Sequence, residues 1–163
     1  MTQEEKDLFY MARAISLAEE AAAVDEVPVG AVLVSGDCIV GEGKNARETA
    51  KCATRHAEIS AIEEACATLG GWRLPDSTLY VTLEPCPMCA GAIINARVER
   101  VVFGAFDPKG GAMGSVIDLP ALPFNHKPAV TAGVSHERCK DILTAYFKGK
   151  RDKPNWKKTH AKQ

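Results

Sequence analysis

The chain has no hydrophobic run long enough to cross a bilayer. Its longest apolar stretch, Val27 to Val34, is eight residues long and broken by Pro28 and Gly30. Its first residues, Met1-Thr2-Gln3-Glu4-Glu5-Lys6, lack the basic and apolar segments of a signal peptide. The expected location is therefore the cytoplasm, where the six cysteines serve as thiols or metal ligands rather than as disulfides. There is no internal repeat, no low-complexity segment and no linker that would divide the 163 residues, so one domain is expected over 1–151. No Walker A or dinucleotide-binding spacing occurs: the glycine-rich stretch Asp107 to Ser115 fits neither in spacing nor in context, which argues against a nucleotide cofactor. There is also almost no net charge. The value of −1 hides an asymmetry, because residues 146–163 carry seven Lys/Arg against the single acid Asp152. An acidic body with a basic C-terminal tail, 152–163, suits either a polyanionic partner or a plain solvated terminus.

What is present reads as alternating helices and strands. Thr2-Gln3-Glu4-Glu5 has the form of a capping box. Leu8, Met11, Ala12, Ile15 and Ala18 follow at helical spacing, which predicts an amphipathic helix over 3–24. Val29 to Val34 and Cys38 to Gly43 flank the turn Ser35-Gly36-Asp37 and predict a hairpin, with Cys38 packing as a small apolar residue. A helix is expected from about His56 to Leu69, with Ile59, Ile62, Cys66 and Leu69 facing inward and Gly70 ending it. Leu79 to Leu83 is a short β-branched strand. Pro87 opens the next helix, Arg100 to Ala105 is the next strand, and a last strand falls near Val130 to Gly133. Ser135 is expected to cap a final helix with Cys139, Ile142, Leu143, Tyr146 and Phe147 on one face. This alternation implies βαβ units and a layered α/β fold.

The chemistry concentrates in Pro85-Cys86-Pro87-Met88-Cys89 and His56-Ala57-Glu58. Cys86 and Cys89 share one helical turn, and His56 supplies a third ligand from the start of another helix. Three protein ligands leave one tetrahedral position of a zinc ion open, as a catalytic site requires. A lone C-x-x-C also fits a redox pair or half of a structural zinc site. However, Cys38, Cys52, Cys66 and Cys139 are isolated and form no second pair, and a redox pair would leave His56 and Glu58 without a task. H-x-E followed by P-C-x-x-C is the pattern of zinc nucleobase deaminases. In such chemistry a zinc-activated hydroxide attacks the ring carbon while Glu58 shuttles the proton to the ring and then to the departing amine. Asn45, just after the second strand, reads either as a turn former or as a polar handle for a ligand.

Beyond these motifs, Val27 to Val32, Leu79 to Ala92, Val101 to Ala105, the Asp107–Ser115 loop, Asn125-His126 and Tyr146-Phe147 closely resemble the bacterial tRNA-specific adenosine deaminases. The resemblance implies a cytidine deaminase-like three-layer α/β/α sandwich around a five-stranded mixed sheet, assembled as a homodimer with one zinc per subunit. It implies hydrolysis of adenosine to inosine at the wobble position of a tRNA anticodon. Carried over by position, His56, Cys86 and Cys89 bind zinc and Glu58 is the proton shuttle. Asn45 and the Ala57 backbone contact the target nucleotide. Asp107 and Lys109 meet neighbouring nucleotides, and Phe147 and Arg151 contact RNA. Position 106 is Phe where some relatives carry Arg. The competing reading from the residues alone is a free base or nucleoside deaminase of the guanine or cytosine type, which shares the metal motif and needs neither the basic tail nor the loop beginning at Asp107. A zinc-stabilised RNA-binding module without activity is the third reading, and it would have no use for Glu58.

Overall fold

A computed structural model describes residues 1–152, so most of the expected basic tail lies outside the described residues. The first helix, α1, spans Gln3–Ala23. Its capping box is formed: Thr2 Oγ1 accepts from Glu5 N at 3.2 Å and the Glu5 carboxylate accepts from Thr2 N at 3.0 Å. Met11, Ile15 and Ala18 face inward as expected, but Leu8 and Ala12 are exposed. The true inner face instead includes Asp7, which hydropathy reads as solvent-facing. Its carboxylate accepts two hydrogen bonds from Arg100, at 2.8 and 2.6 Å, and others from Tyr80 Oη and Gln3 Nε2.

Two antiparallel strands follow, β1 (Gly30–Ser35) and β2 (Cys38–Lys44). Gly36 and Asp37 both take positive φ, as a two-residue primed turn requires. Cys38 is exposed rather than packed, because it sits at the outer end of an edge strand. Helix α2 (Ala57–Leu69) crosses the hairpin and ends at Gly70 in the left-handed conformation. Its buried residues are Ala57, Glu58, Ala61, Ile62 and Ala65. Of the expected stripe only Ile62 is buried; Ile59 and Cys66 are half-buried and Leu69 is exposed. The phase is set by Gly41 and Gly43 of β2. A Cβ there would lie 2.2 Å from Ala61 O and 2.1 Å from Ala57 O, so alanines face the strand and the larger residues are turned aside.

The remaining elements are β3 (Ser77–Leu83), α3 (Pro87–Asn95), β4 (Arg100–Ala105), β5 (Ala129–Ala132) and α4 (His136–Arg151). The sheet order is β2-β1-β3-β4-β5; β1 is antiparallel to both its neighbours, and β3, β4 and β5 run parallel. Alternate strand residues separate two apolar layers. Leu33, Leu79, Val81, Val101 and Phe103 pack against α2 and α3. Val32, Val34, Tyr80 and Val102 pack against α1 and Cys139 of α4. The expected three-layer α/β/α sandwich with a five-stranded mixed sheet is thus formed. Ser135 precedes α4 in the left-handed conformation, φ 55°, and its hydroxyl caps nothing. A side-chain N-cap needs an extended backbone at that position. Cys139 is buried, and Ile142, Leu143, Tyr146 and Phe147 are half-buried, as the spacing predicted.

Candidate metal and nucleotide site

Two helix starts meet at the C-terminal ends of β3 and β4. His56 is the N-cap of α2 and its ring makes no capping hydrogen bond, which frees it to point across the gap. Cys86 is the N-cap of α3; Pro87 occupies the first turn, where a missing N–H is tolerated, and Cys89 follows one turn on. His56 Nδ1 lies 3.6 Å from Cys86 Sγ and 3.5 Å from Cys89 Sγ, and the three donor atoms lie within 4.8 Å of one another. A tetrahedral ion with Zn–S near 2.3 Å and Zn–N near 2.0–2.1 Å needs S···N separations of about 3.6 Å. The trio therefore fits a metal ion of that size. Among the described residues it is the single such cluster of His, Cys and acidic side chains.

The thiols are not equivalent. The hydrogen bond from Cys89 is the largest cause holding the Cys86 thiol down to about 4; burial opposes it and His56 adds to it. Cys89, which donates that bond and is buried, is pushed well above the ordinary thiol value. A divalent cation held here would take both sulfurs as thiolates, so its binding would release protons. Beside them Glu58, 4% exposed in the first turn of α2, has its carboxyl raised to about 7. Burial is the main cause; its own backbone N–H opposes the shift and the charge on Cys86 reinforces it. A carboxyl with that affinity can both take and return a proton near neutral pH.

Above this floor opens a cavity of about 510 Å³. His56, Ala57, Glu58 and Cys86 form its base, with Val27, Val29 and Leu83 beside them. One rim carries Asn45 and Arg47, a second Phe106, Asp107 and Lys109, and a third Leu143 and Phe147 of α4.

Residues 5–151 match the family of MafB19-like deaminases. The chain is 51% identical over 154 residues to the tRNA-specific adenosine deaminase of Bacillus subtilis (strain 168), covering 94% of each protein. The chain belongs to the tRNA-specific adenosine deaminases. A solved structure from work on A-to-I editing by tRNA:A34 deaminases at the wobble position is similar with a TM-score of 0.81 at 43% identity, over 83% of this chain and 99% of that one. A guanine deaminase from Nitrosomonas europaea shares the fold at a TM-score of 0.71 and 27% identity, over 84% of this chain and 82% of that one.

Within this family member the residues expected to meet substrate are mostly brought together. Asn45 is buried and oriented: its Nδ2 donates to Val27 O and its Oδ1 accepts from Arg47 N, both at 3.2 Å. It is at once a turn former and a polar wall. Ala57 and Glu58 open α2 and both line the cavity, and the Glu58 backbone N–H is taken by its own carboxylate. Asp107 is committed to its own loop, with Oδ1 accepting from Lys109 N and Gly110 N. Lys109 is exposed on the rim and Phe147 faces it from α4. Arg151 stands apart: it is exposed on the last turn of α4, outside the cavity wall, with Nε donating to Phe147 O at 3.4 Å.

Sequence reasoning missed Arg47 and noted Phe106 only as a departure from relatives that carry Arg; its ring lines the cavity and meets Phe103 edge-on at 5.3 Å. It also assigned no role to Glu84 and Glu26. Both are almost fully buried. A charged residue at the end of an otherwise buried strand must find partners, and that was the available signal for Glu84.

Proposed function

We propose that this protein deaminates adenosine to inosine at the wobble position, 34, of a tRNA anticodon, with one zinc ion per subunit held by His56, Cys86 and Cys89. The observation that carries the reading is the buried Glu58 carboxylate beside a three-donor metal site, at the floor of a cavity wide enough for a nucleoside. Zinc, when bound, supplies a Lewis acid that lowers the pKa of water toward neutrality. Glu58 takes a proton from the attacking water and delivers it to N1 of the adenine ring, so that C6 accepts the oxygen. Glu58 then takes the proton of the new C6 hydroxyl and passes it to the exocyclic nitrogen, and ammonia leaves. Water is consumed, the C6–N bond breaks and a carbonyl forms, giving inosine. The oriented amide of Asn45 and the amide at Ala57 hold the nucleotide. Asp107, Lys109 and Phe147 receive the bases beside it, since single-stranded loops offer unstacked bases to such pockets. Arg151, with Lys148 and Lys150 on the same helix end, attracts phosphate.

The chain works as a single domain over 1–151, in the cytoplasm where its substrate is found. Among the described residues no helix is long and apolar enough to cross a membrane. A homodimer is supported by the run of exposed apolar residues Val116, Ile117, Leu122 and Phe124, a surface suited to a second copy.

The test is to incubate the purified protein with an anticodon stem-loop bearing a wobble adenosine and to assay inosine. Free adenosine, cytidine, guanosine, cytosine and guanine serve as controls. Inosine in the stem-loop is expected; turnover confined to a free base or nucleoside would overturn the reading in favour of a small-molecule deaminase.

A further inference from the structure

Glu84 directly follows β3, two residues before Cys86, and is 2% exposed. No cation pairs with it among the described residues. Its charge is met by one loop instead. Oε1 accepts from Asp107 N at 3.1 Å and from the Ser115 hydroxyl; Oε2 accepts from Met113 N and Ser115 N, each at 3.1 Å. Both ends of the 107–115 segment therefore close on a single carboxylate. The middle is drawn in as well, since Ala112 N donates to Pro85 O at 2.8 Å and Gly111 N to Asp107 O at 2.9 Å. The fit leaves no slack: a Cβ on Gly111 would stand 2.2 Å from Glu84 Oε2. A buried carboxylate without these donors is strongly unfavourable, and so are three inward-facing N–H groups without an acceptor. The loop and the carboxylate thus hold one another in a single arrangement.

That loop carries Asp107 and Lys109 onto the cavity rim, and Glu84 is joined through Pro85 to the metal-binding turn. We infer that Glu84 is a positioning residue, which locks the 107–115 loop to the Cys86 turn so that Lys109 meets the nucleotides flanking the reacting adenosine. The inference rests on the substrate reading given above. Glu84 acts on binding of the flanking groups through the loop and leaves the proton transfers to Glu58.

The experiment uses the full-length, metal-loaded protein and the variants Glu84→Gln, Ser115→Ala, Lys109→Ala and Glu84→Gln/Lys109→Ala. The Gln oxygen can keep the bonds from Met113 N and Ser115 N, and its amino group can face the Ser115 hydroxyl, but Asp107 N is then opposed by another donor. Ser115→Ala removes one bond from an exposed residue and leaves the core intact, so it serves should Glu84→Gln fail to fold. Backbone hydrogen exchange is measured first. Exchange at Asp107, Met113 and Ser115 is expected to accelerate at least about tenfold in Glu84→Gln, while α2 and α3 are unchanged. In stem-loop kinetics KM is expected to rise about tenfold with kcat within about twofold, and Ser115→Ala to move KM the same way by less. Lys109→Ala should raise KM several-fold in the wild type and under about twofold in the Glu84→Gln background, because the rim is already displaced. Unchanged exchange in the loop, a loss of kcat at constant KM, or a Lys109 effect of full size in both backgrounds would each overturn the inference. If the wild type fails to convert the stem-loop, the substrate reading falls, and the exchange measurement still decides whether Glu84 anchors the loop.

Discussion

Gly43→Ala is the sharpest mechanical test of how the fold builds its site. Gly43 lies in β2 directly beneath the first turn of α2, and a Cβ there would stand 2.1 Å from Ala57 O, 2.8 Å from Ala61 N and 2.9 Å from Ser60 Cβ. Two of these atoms are backbone and cannot swing aside. To restore ordinary contact the helix start must retreat by roughly 1 Å, and His56 and Glu58 ride on it. Cys86 and Cys89 belong to a different helix and stay behind. His56 Nδ1 now stands 3.5–3.6 Å from the two sulfurs, and metal sites tolerate only about 0.2 Å of error in ligand distance. The expected result is a loss of metal affinity of about 10- to 100-fold and of turnover by about 100-fold. Overpacking adds a stability loss of about 1–3 kcal/mol. Gly41→Ala is the control: its Cβ would stand 2.2 Å from Ala61 O, one turn further from the site. It should destabilise to a similar degree and spare the metal. A chelator-competition titration, an inosine assay and a thermal melt on both variants decide it. Wild-type metal affinity and turnover in Gly43→Ala, or equal losses in Gly41→Ala, would refute the reasoning.

Glu58→Gln keeps the volume and removes the proton carrier, so turnover should fall by about 10²- to 10⁴-fold while elemental analysis finds the metal retained. Asp7→Asn leaves Arg100 and Tyr80 without their anion and should cost about 3 kcal/mol, or a drop of roughly 6–12 °C in Tm; the figure is at the lower end because the Arg100 side chain is 22% exposed. Burial alone would raise the Asp7 carboxyl, but the bonds from Arg100, Gln3 and Tyr80 outweigh it and hold it below its ordinary value. Its contribution is therefore complete above about pH 4 and drains away as pH falls through the folded value, so urea melts between about pH 6 and pH 2 should show an acid limb that Asp7→Asn flattens. Zinc at about 1,000 times its Kd should stabilise the folded chain by about 4 kcal/mol over chelated protein, and a melt that ignores zinc would contradict the site.

The parts legible in the sequence are those governed by neighbours in the chain. The Thr2–Glu5 capping box, the Gly36-Asp37 turn, Gly70, and Pro87 beside the C-x-x-C each act within one turn, and each forms where expected. What failed depends on contacts from afar. The phase of α2 follows from Gly41 and Gly43, fourteen or more residues upstream, and no window centred on the helix contains them. Asp7 reads as solvent-facing until Arg100, 93 residues later, is placed beside it. Cys38 is exposed because β2 is an edge strand, a property of sheet order rather than of local pattern.

The same division separates the floor of the site from its rims. The floor is made by two helix starts set on strands, so short motifs announce it. Two of the three rims are loops without regular structure of their own, and each of these two is tied to the body by a buried acid from elsewhere. Glu84 holds 107–115, and Glu26 accepts from Glu48 N at 3.0 Å and from Thr49 N at 2.8 Å on the opposite side. A loop anchored through its backbone amides can change its side chains without losing its shape, because the anchor reads only N–H groups. Phe at 106 therefore sits on a rim whose path is set by the amides of Asp107, Met113 and Ser115. Substitutions there should alter which neighbouring bases are accepted while leaving the metal and Glu58 in place.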